Sequence, residues 1–122
     1  MTNFLIFKRR KPILKNKSAK AIFDNYPVNK GHMLVVPNKK TNSIFKLSFK
    51  QYREVFELVR MCRMYLKKKF KASSFTIGIN DGKFAGQTIQ QAHIHIIPRY
   101  SGDVRDPRGG IRGVIPSKKK YK

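Results

Sequence analysis

The chain has 122 residues, 40% of them hydrophobic and 11% aromatic, with 28 Lys and Arg against six acids and one cysteine. Such a length supports one core rather than two, no apolar run approaches the ~20 residues of a spanning helix, and a lone cysteine excludes a disulfide framework or a thiolate metal cluster. A net charge of +22 attracts polyanions, whether nucleotides, nucleic acid or an anionic surface. The excess is not confined to the ends: residues 21–116 hold seventeen bases and all six acids, a balance of +11. Solvated lysines in a Lys-, Ile- and Asn-rich chain are the plain account of this field; a selected nucleic-acid surface is the other. Phe4-Leu5-Ile6-Phe7 is too short for a signal sequence and its charges follow it, so a soluble, cytoplasmic protein without membrane contact is expected.

Residues 1–17 read as a basic N-terminal arm, irregular around Pro12, entering a strand near Ser18. Ala19–Phe23 reads as a strand closed by the turn cluster Asp24-Asn25-Tyr26-Pro27. Asn29-Lys30-Gly31 is a second turn, and His32-Met33-Leu34-Val35-Val36 is a buried strand ended by Pro37. A short helix over 43–47 is a weaker expectation. Ser48-Phe49-Lys50-Gln51 fits a capping box. Tyr52, Val55, Phe56, Val59, Cys62, Tyr65 and Leu66 then recur at three- and four-residue spacing, one face of a long helix. Lys67-Lys68-Lys69 suit the negative end of its dipole. Residues 75–79 alternate as a strand, Asn80-Asp81-Gly82 turns, and 83–86 is a loop. Residues 89–97 are strand-like up to Pro98, and 99–122 form a mostly irregular tail. About five strands and one long helix without regular alternation predict a single α+β domain over 1–122, with an antiparallel sheet.

The three histidines are His32, His93 and His95. On a strand, period two places Gln91, His93, His95 and Ile97 on one face and Ala92, Ile94 and Ile96 on the other. Two imidazoles and an amide side by side need partners. They suit a structural polar patch, a metal site that lacks a nearby acid between Asp81 and Asp103, or nucleophilic catalysis on phosphorus. Neutral imidazole, with a reference pKa of ~6.5, is a good nucleophile, a second imidazole can donate to a phosphate oxygen, and Gly86-Gln87-Thr88 adds donors upstream.

The run Gly86-Gln87-Thr88-Ile89-Gln90-Gln91-Ala92-His93-Ile94-His95-Ile96-Ile97-Pro98-Arg99 resembles the signature of the histidine-triad family. Asp24-Asn25-Tyr26-Pro27 with Gly31-His32-Met33-Leu34-Val35-Val36-Pro37 resembles a second family segment. Asp106-Pro107-Arg108-Gly109-Gly110-Ile111-Arg112 is similar to the tail of bacterial members related to the fragile-histidine-triad branch. The blocks run in order from about Ile22 to Arg112.

This resemblance implies His93 as nucleophile, His95 on the α-phosphate and His32 as the fourth family histidine, behind the nucleophile. It places Asp24 on the ribose hydroxyls, Ile22 and Leu34 at the base, Asn80 on the nucleotide, and Gly86, Gln87, Thr88 and Ile89 around the phosphates. A backbone carbonyl orients the nucleophile's Nδ1 in the family. The first triad position is Gln91 here, an amide that cannot titrate. The cysteine pair that holds zinc in some members is absent, so no structural zinc is expected. No cofactor is required, although Mg²⁺ could accompany a polyphosphate substrate.

The implied reaction cleaves a dinucleoside polyphosphate, such as a diadenosine compound, through a nucleotidyl-histidine intermediate to release AMP, in a homodimer. Alternatives are a nucleoside phosphoramidase, a DNA-deadenylating enzyme of the same fold, or a basic nucleic-acid-binding protein.

Overall fold

The computed structural model describes residues 4–121; residues 1–3 of the expected arm and 122 of the tail lie outside the described residues. Five strands, β1 (Leu14–Lys15), β2 (Ala19–Phe23), β3 (Met33–Pro37), β4 (Ser74–Gly78) and β5 (Ile94–Arg99), form one antiparallel sheet ordered β1-β2-β3-β5-β4. One long helix, α1 (Phe49–Phe70), packs across it. None of the described helices is long and apolar enough to cross a membrane.

Local chemistry starts and stops α1 where the sequence indicates. The Ser48 hydroxyl accepts the Gln51 N–H at 3.2 Å, and the Gln51 side chain accepts the Ser48 N–H at 3.0 Å, satisfying two of the orphan donors of the first turn. The helix closes on Lys71 in a left-handed conformation, φ 58°. Its fully buried stripe is Val55, Leu58, Cys62 and Leu66, with Val59 at the margin. Phe56 falls off this stripe and is 38% exposed, while Leu58 takes the central place. Burying a leucine contributes about 1.5–3 kcal/mol, so Leu58 and Leu66 are main anchors of helix to sheet. A single 3₁₀ turn, Ile44–Lys46, occupies the expected short helix, capped by the Ser43 hydroxyl.

Alternation along the strands divides the sheet into two faces. Ala19, Ala21, Met33, Val35, Ile94 and Ile96 meet α1. Ile22, Leu34 and Val36 look the other way and are covered by Phe7 of the arm. Ile22, Leu34 and His95 lie opposite one another in register, so an apolar rung leads across the open face to an imidazole. Gly31, at φ +90°, makes the turn into β3 beneath the helix end, and a Cβ there would lie 3.1 Å from Leu66 and Phe70. Only glycine fits both demands.

β5 differs from expectation at both ends. Ile89 makes only an isolated bridge, the chain bends at Gln90 and Gln91, and the strand begins at Ile94 and runs through Pro98. Pro98 is tolerated because its carbonyl, accepting from Asn29 Nδ2 at 3.0 Å, faces the flank where β3 has already ended. The missing N–H lies on that same flank, so no ladder bond is lost. The arm also carries more structure than expected. It turns over residues 4–9 and contributes β1. The tail holds two 3₁₀ turns, Gly110–Val114 and Pro116–Lys118.

Candidate active site

The open face of the sheet, the arm and the loop before β5 enclose a cavity of about 400 Å³, within the about 300–1,000 Å³ range of small-molecule sites. It gathers Asp24, His32, Leu34, Asn80, Gly86, Gln87, Thr88, Ile89, His93 and His95, residues that the motifs singled out. Ile22 and Gln91 do not line it. Ile22 is fully buried beneath Phe7, and Gln91 is turned into the protein. Residues from outside the motifs complete the wall, among them Ile6, Phe7 and Arg10. The apolar quartet within a basic arm was the only sign of Ile6 and Phe7. Arg10, the one Lys or Arg on the wall among the described residues, carried no signal.

Hydrogen bonds settle which nitrogen of each imidazole carries a proton. His93 Nδ1 lies 2.9 Å from the Gln91 carbonyl. A carbonyl only accepts, so Nδ1 bears a proton, and in the neutral ring Nε2 keeps its lone pair. The Val28 N–H donates to His32 Nδ1 at 3.0 Å, so a neutral His32 carries its proton on Nε2. That Nε2 donates to His95 Nδ1 at 3.0 Å, which leaves the His95 proton on its own Nε2. The pair therefore offers one lone pair, on His93, beside one N–H, on His95, with ring centres 5.0 Å apart.

Charge follows the same arrangement. Burial, then the neighbouring His93 and His32 rings, push His95 down to about 4, so it is a neutral donor near neutral pH. Burial also lowers His32, against the pull of Asp24. The structure sets His32 behind His95 and not directly behind His93. Phe7 rests edge-on against the His93 ring, with centres 5.6 Å apart.

The loop residues divide into scaffold and free groups. The Gln87 amide donates to the carbonyls of Asn42, Ile89 and Gln90 and accepts from the Gly82 N–H, so it shapes the loop and is not free for a ligand. The Gly86 and Gln87 N–H groups bond to Lys83 and Gly82. Among the described residues, no hydrogen bond engages the exposed Thr88 hydroxyl or the Asn80 amide. One Asp24 oxygen accepts the Tyr26 N–H at 2.8 Å and the other lies 3.5 Å from His32 Nε2.

Asp24, His32 and His95 bring ligand-type atoms within 4.8 Å of one another. They fit a cation poorly, because His32 Nδ1 already accepts an N–H and Nε2 must then keep its proton. Cys62 is buried under the sheet, raised to about 12 by desolvation, and belongs to the core.

The α+β sheet thus presents an oriented imidazole lone pair beside an imidazole N–H, over a cavity of about 400 Å³. The HIT domain model matches residues 8–102, and the chain belongs to the HIT family. It is 36% identical over 89 residues to the bis(5'-nucleosyl)-tetraphosphatase [asymmetrical] of Schizosaccharomyces pombe, covering 73% of this chain and 49% of that protein. It is 33% identical over 87 residues to the bis(5'-adenosyl)-triphosphatase of Saccharomyces cerevisiae, covering 70% of this chain and 42% of that one. The chain thus spans half or less of the length of these relatives. The Plasmodium falciparum diadenosine triphosphate hydrolase, solved with cyclomarin A, superposes with a TM-score of 0.74 at 32% identity, over 80% of this chain and 67% of that one.

Proposed function

We propose that the protein hydrolyses dinucleoside polyphosphates at the α-phosphorus through a covalent nucleotidyl-His93 intermediate. The carrying observation is the fixed tautomer pair: His93 Nε2 has its lone pair free because Nδ1 donates to the Gln91 carbonyl at 2.9 Å. In the first step Nε2 forms a bond to the α-phosphorus and the bond to the bridging oxygen breaks, its electron pair leaving with the distal nucleotide. Water then attacks the same phosphorus, the P–N bond breaks, and a nucleoside monophosphate such as AMP is released. The His95 Nε2–H, the Thr88 hydroxyl and Arg10 are the groups placed to meet charge on the phosphate oxygens. Asp24, with acceptor capacity left, suits the ribose hydroxyls, and Leu34 and Phe7 suit the base.

Protonation supports a polyphosphate over a phosphoramidate. An amine leaving group must gain a proton, whereas a nucleoside diphosphate departs as an anion. The first triad position is an amide, and His95, pushed down to about 4, is a weak proton source at neutral pH.

The same reading carries a homodimer, since β4 is a sheet edge unpaired among the described residues, with Ile77, Ile111 and Val114 exposed near it. It also carries one domain for the whole chain and a cytoplasmic location, where nucleotide pools lie. The +22 charge supports added, salt-sensitive attraction to nucleic acid. The test is base-quenching of enzyme mixed with radiolabelled diadenosine triphosphate. Wild type is expected to retain label on protein and His93→Ala none. Equal turnover by His93→Ala would refute the mechanism.

A further inference from the structure

The bend that precedes β5 is stitched to the chain leaving β3. Gln91 Nε2 donates to the carbonyls of Pro37 at 3.1 Å and Lys39 at 3.0 Å. The Thr41 N–H donates to Gln91 Oε1 at 3.3 Å, and the Ala92 N–H returns a bond to the Thr41 carbonyl at 2.8 Å. Three of these four bonds pass through one side chain, which is 4% exposed. The backbone carbonyl of that same residue holds the His93 Nδ1 proton.

We propose that Gln91 is a positioning residue, whose side-chain amide locks the bend so that its own carbonyl fixes the tautomer and aim of His93. This rests on His93 being the nucleophile. The amide's chemistry matches the demand at the position. Two carbonyls and one N–H converge on it, and a primary amide supplies two donors and an acceptor. A neutral imidazole supplies one of each and leaves one of the two carbonyls without this donor. A carboxylate supplies no donor and faces two carbonyl oxygens. Position 91 thus calls for an amide, and restoring a third histidine there would loosen the nucleophile. A proton-transfer role for the residue is disfavoured by placement, because its side chain does not reach the cavity wall.

The test compares wild type with Gln91→His and Gln91→Glu, each labelled with ¹⁵N-histidine and assayed with diadenosine triphosphate. In wild type, NMR should show His93 as a single Nδ1–H tautomer. In both variants the tautomers should mix, and kcat should fall about ten- to a hundredfold, the scale of a misplaced reacting group, with KM little changed. A Gln91→His enzyme as fast as wild type, or an unaltered His93 tautomer in both variants, overturns the proposal. Should neither variant fold, the Gln91 side-chain amide protons of wild type decide. Protection from exchange supports the clamp, and exchange at the solvent rate refutes it. The tautomer readout needs no substrate, so it stands even if the polyphosphate assignment fails.

Discussion

Replacing His32 with phenylalanine isolates the tautomer chain behind the site. His32 is 2% exposed, and both ring nitrogens are engaged, one by the Val28 N–H and the other by His95 Nδ1, each at 3.0 Å. Phenylalanine keeps the ring and removes both nitrogens. A stranded buried donor costs about 1–3 kcal/mol. Val28 itself is 68% exposed, so its N–H can recover part of this from water. The loss expected is therefore near the lower end, about 1 kcal/mol, or a few degrees in Tm for a domain of this size. The catalytic effect is bounded separately. Complete loss of one phosphate-facing donor costs about 10²–10³ in kcat. Here the His95 donor survives but is no longer held on Nε2, so about a tenfold fall is expected, in kcat more than in KM. Steady-state kinetics on diadenosine triphosphate, with ¹⁵N spectra of His95, read both effects. Wild-type kcat together with an unmoved His95 tautomer would refute the reasoning.

Two further outcomes follow from burial and charge. His95 is held at about 4 in the fold against an ordinary ~6.5. The unfolded chain therefore gains its proton first as pH falls. Stability should be full above ~6.5 and decline towards about pH 4, and His95→Gln should flatten part of that decline. Asp103, held well below the usual carboxylate range by Arg99, the Tyr100 N–H and Asn29, adds its own loss only at more acid pH. Chemical denaturation across this range would expose an error if stability stayed level from pH 7 to 4. Lys20 donates to the carbonyls of Phe7 at 2.5 Å and Arg10 at 2.9 Å, pinning the arm. Lys20→Met should raise KM and speed proteolysis within residues 4–11. Unchanged values of both would show that the arm holds without it.

The elements that were legible in advance are those set by near neighbours in the chain. The capping box at Ser48 and the apolar spacing of α1 act within a few residues, as do the turns at Asp24 and Gly31, so sequence alone determined them. The proposed nucleophile was legible too, because His93 and His95 sit in a motif whose order is local. What failed was the extension of strand alternation back through Gln91. The chain bends at Gln90 and Gln91, where the Gln91 amide meets the carbonyls of Pro37 and Lys39, more than fifty positions away in the chain. Likewise Phe7 reaches His93, and Lys20 gathers the arm, only once β2, β3 and β5 are side by side. Sequence thus pointed to the groups proposed to do the chemistry. Tertiary structure decided their protons, because a tautomer is chosen by partners that only the folded sheet brings within hydrogen-bonding distance.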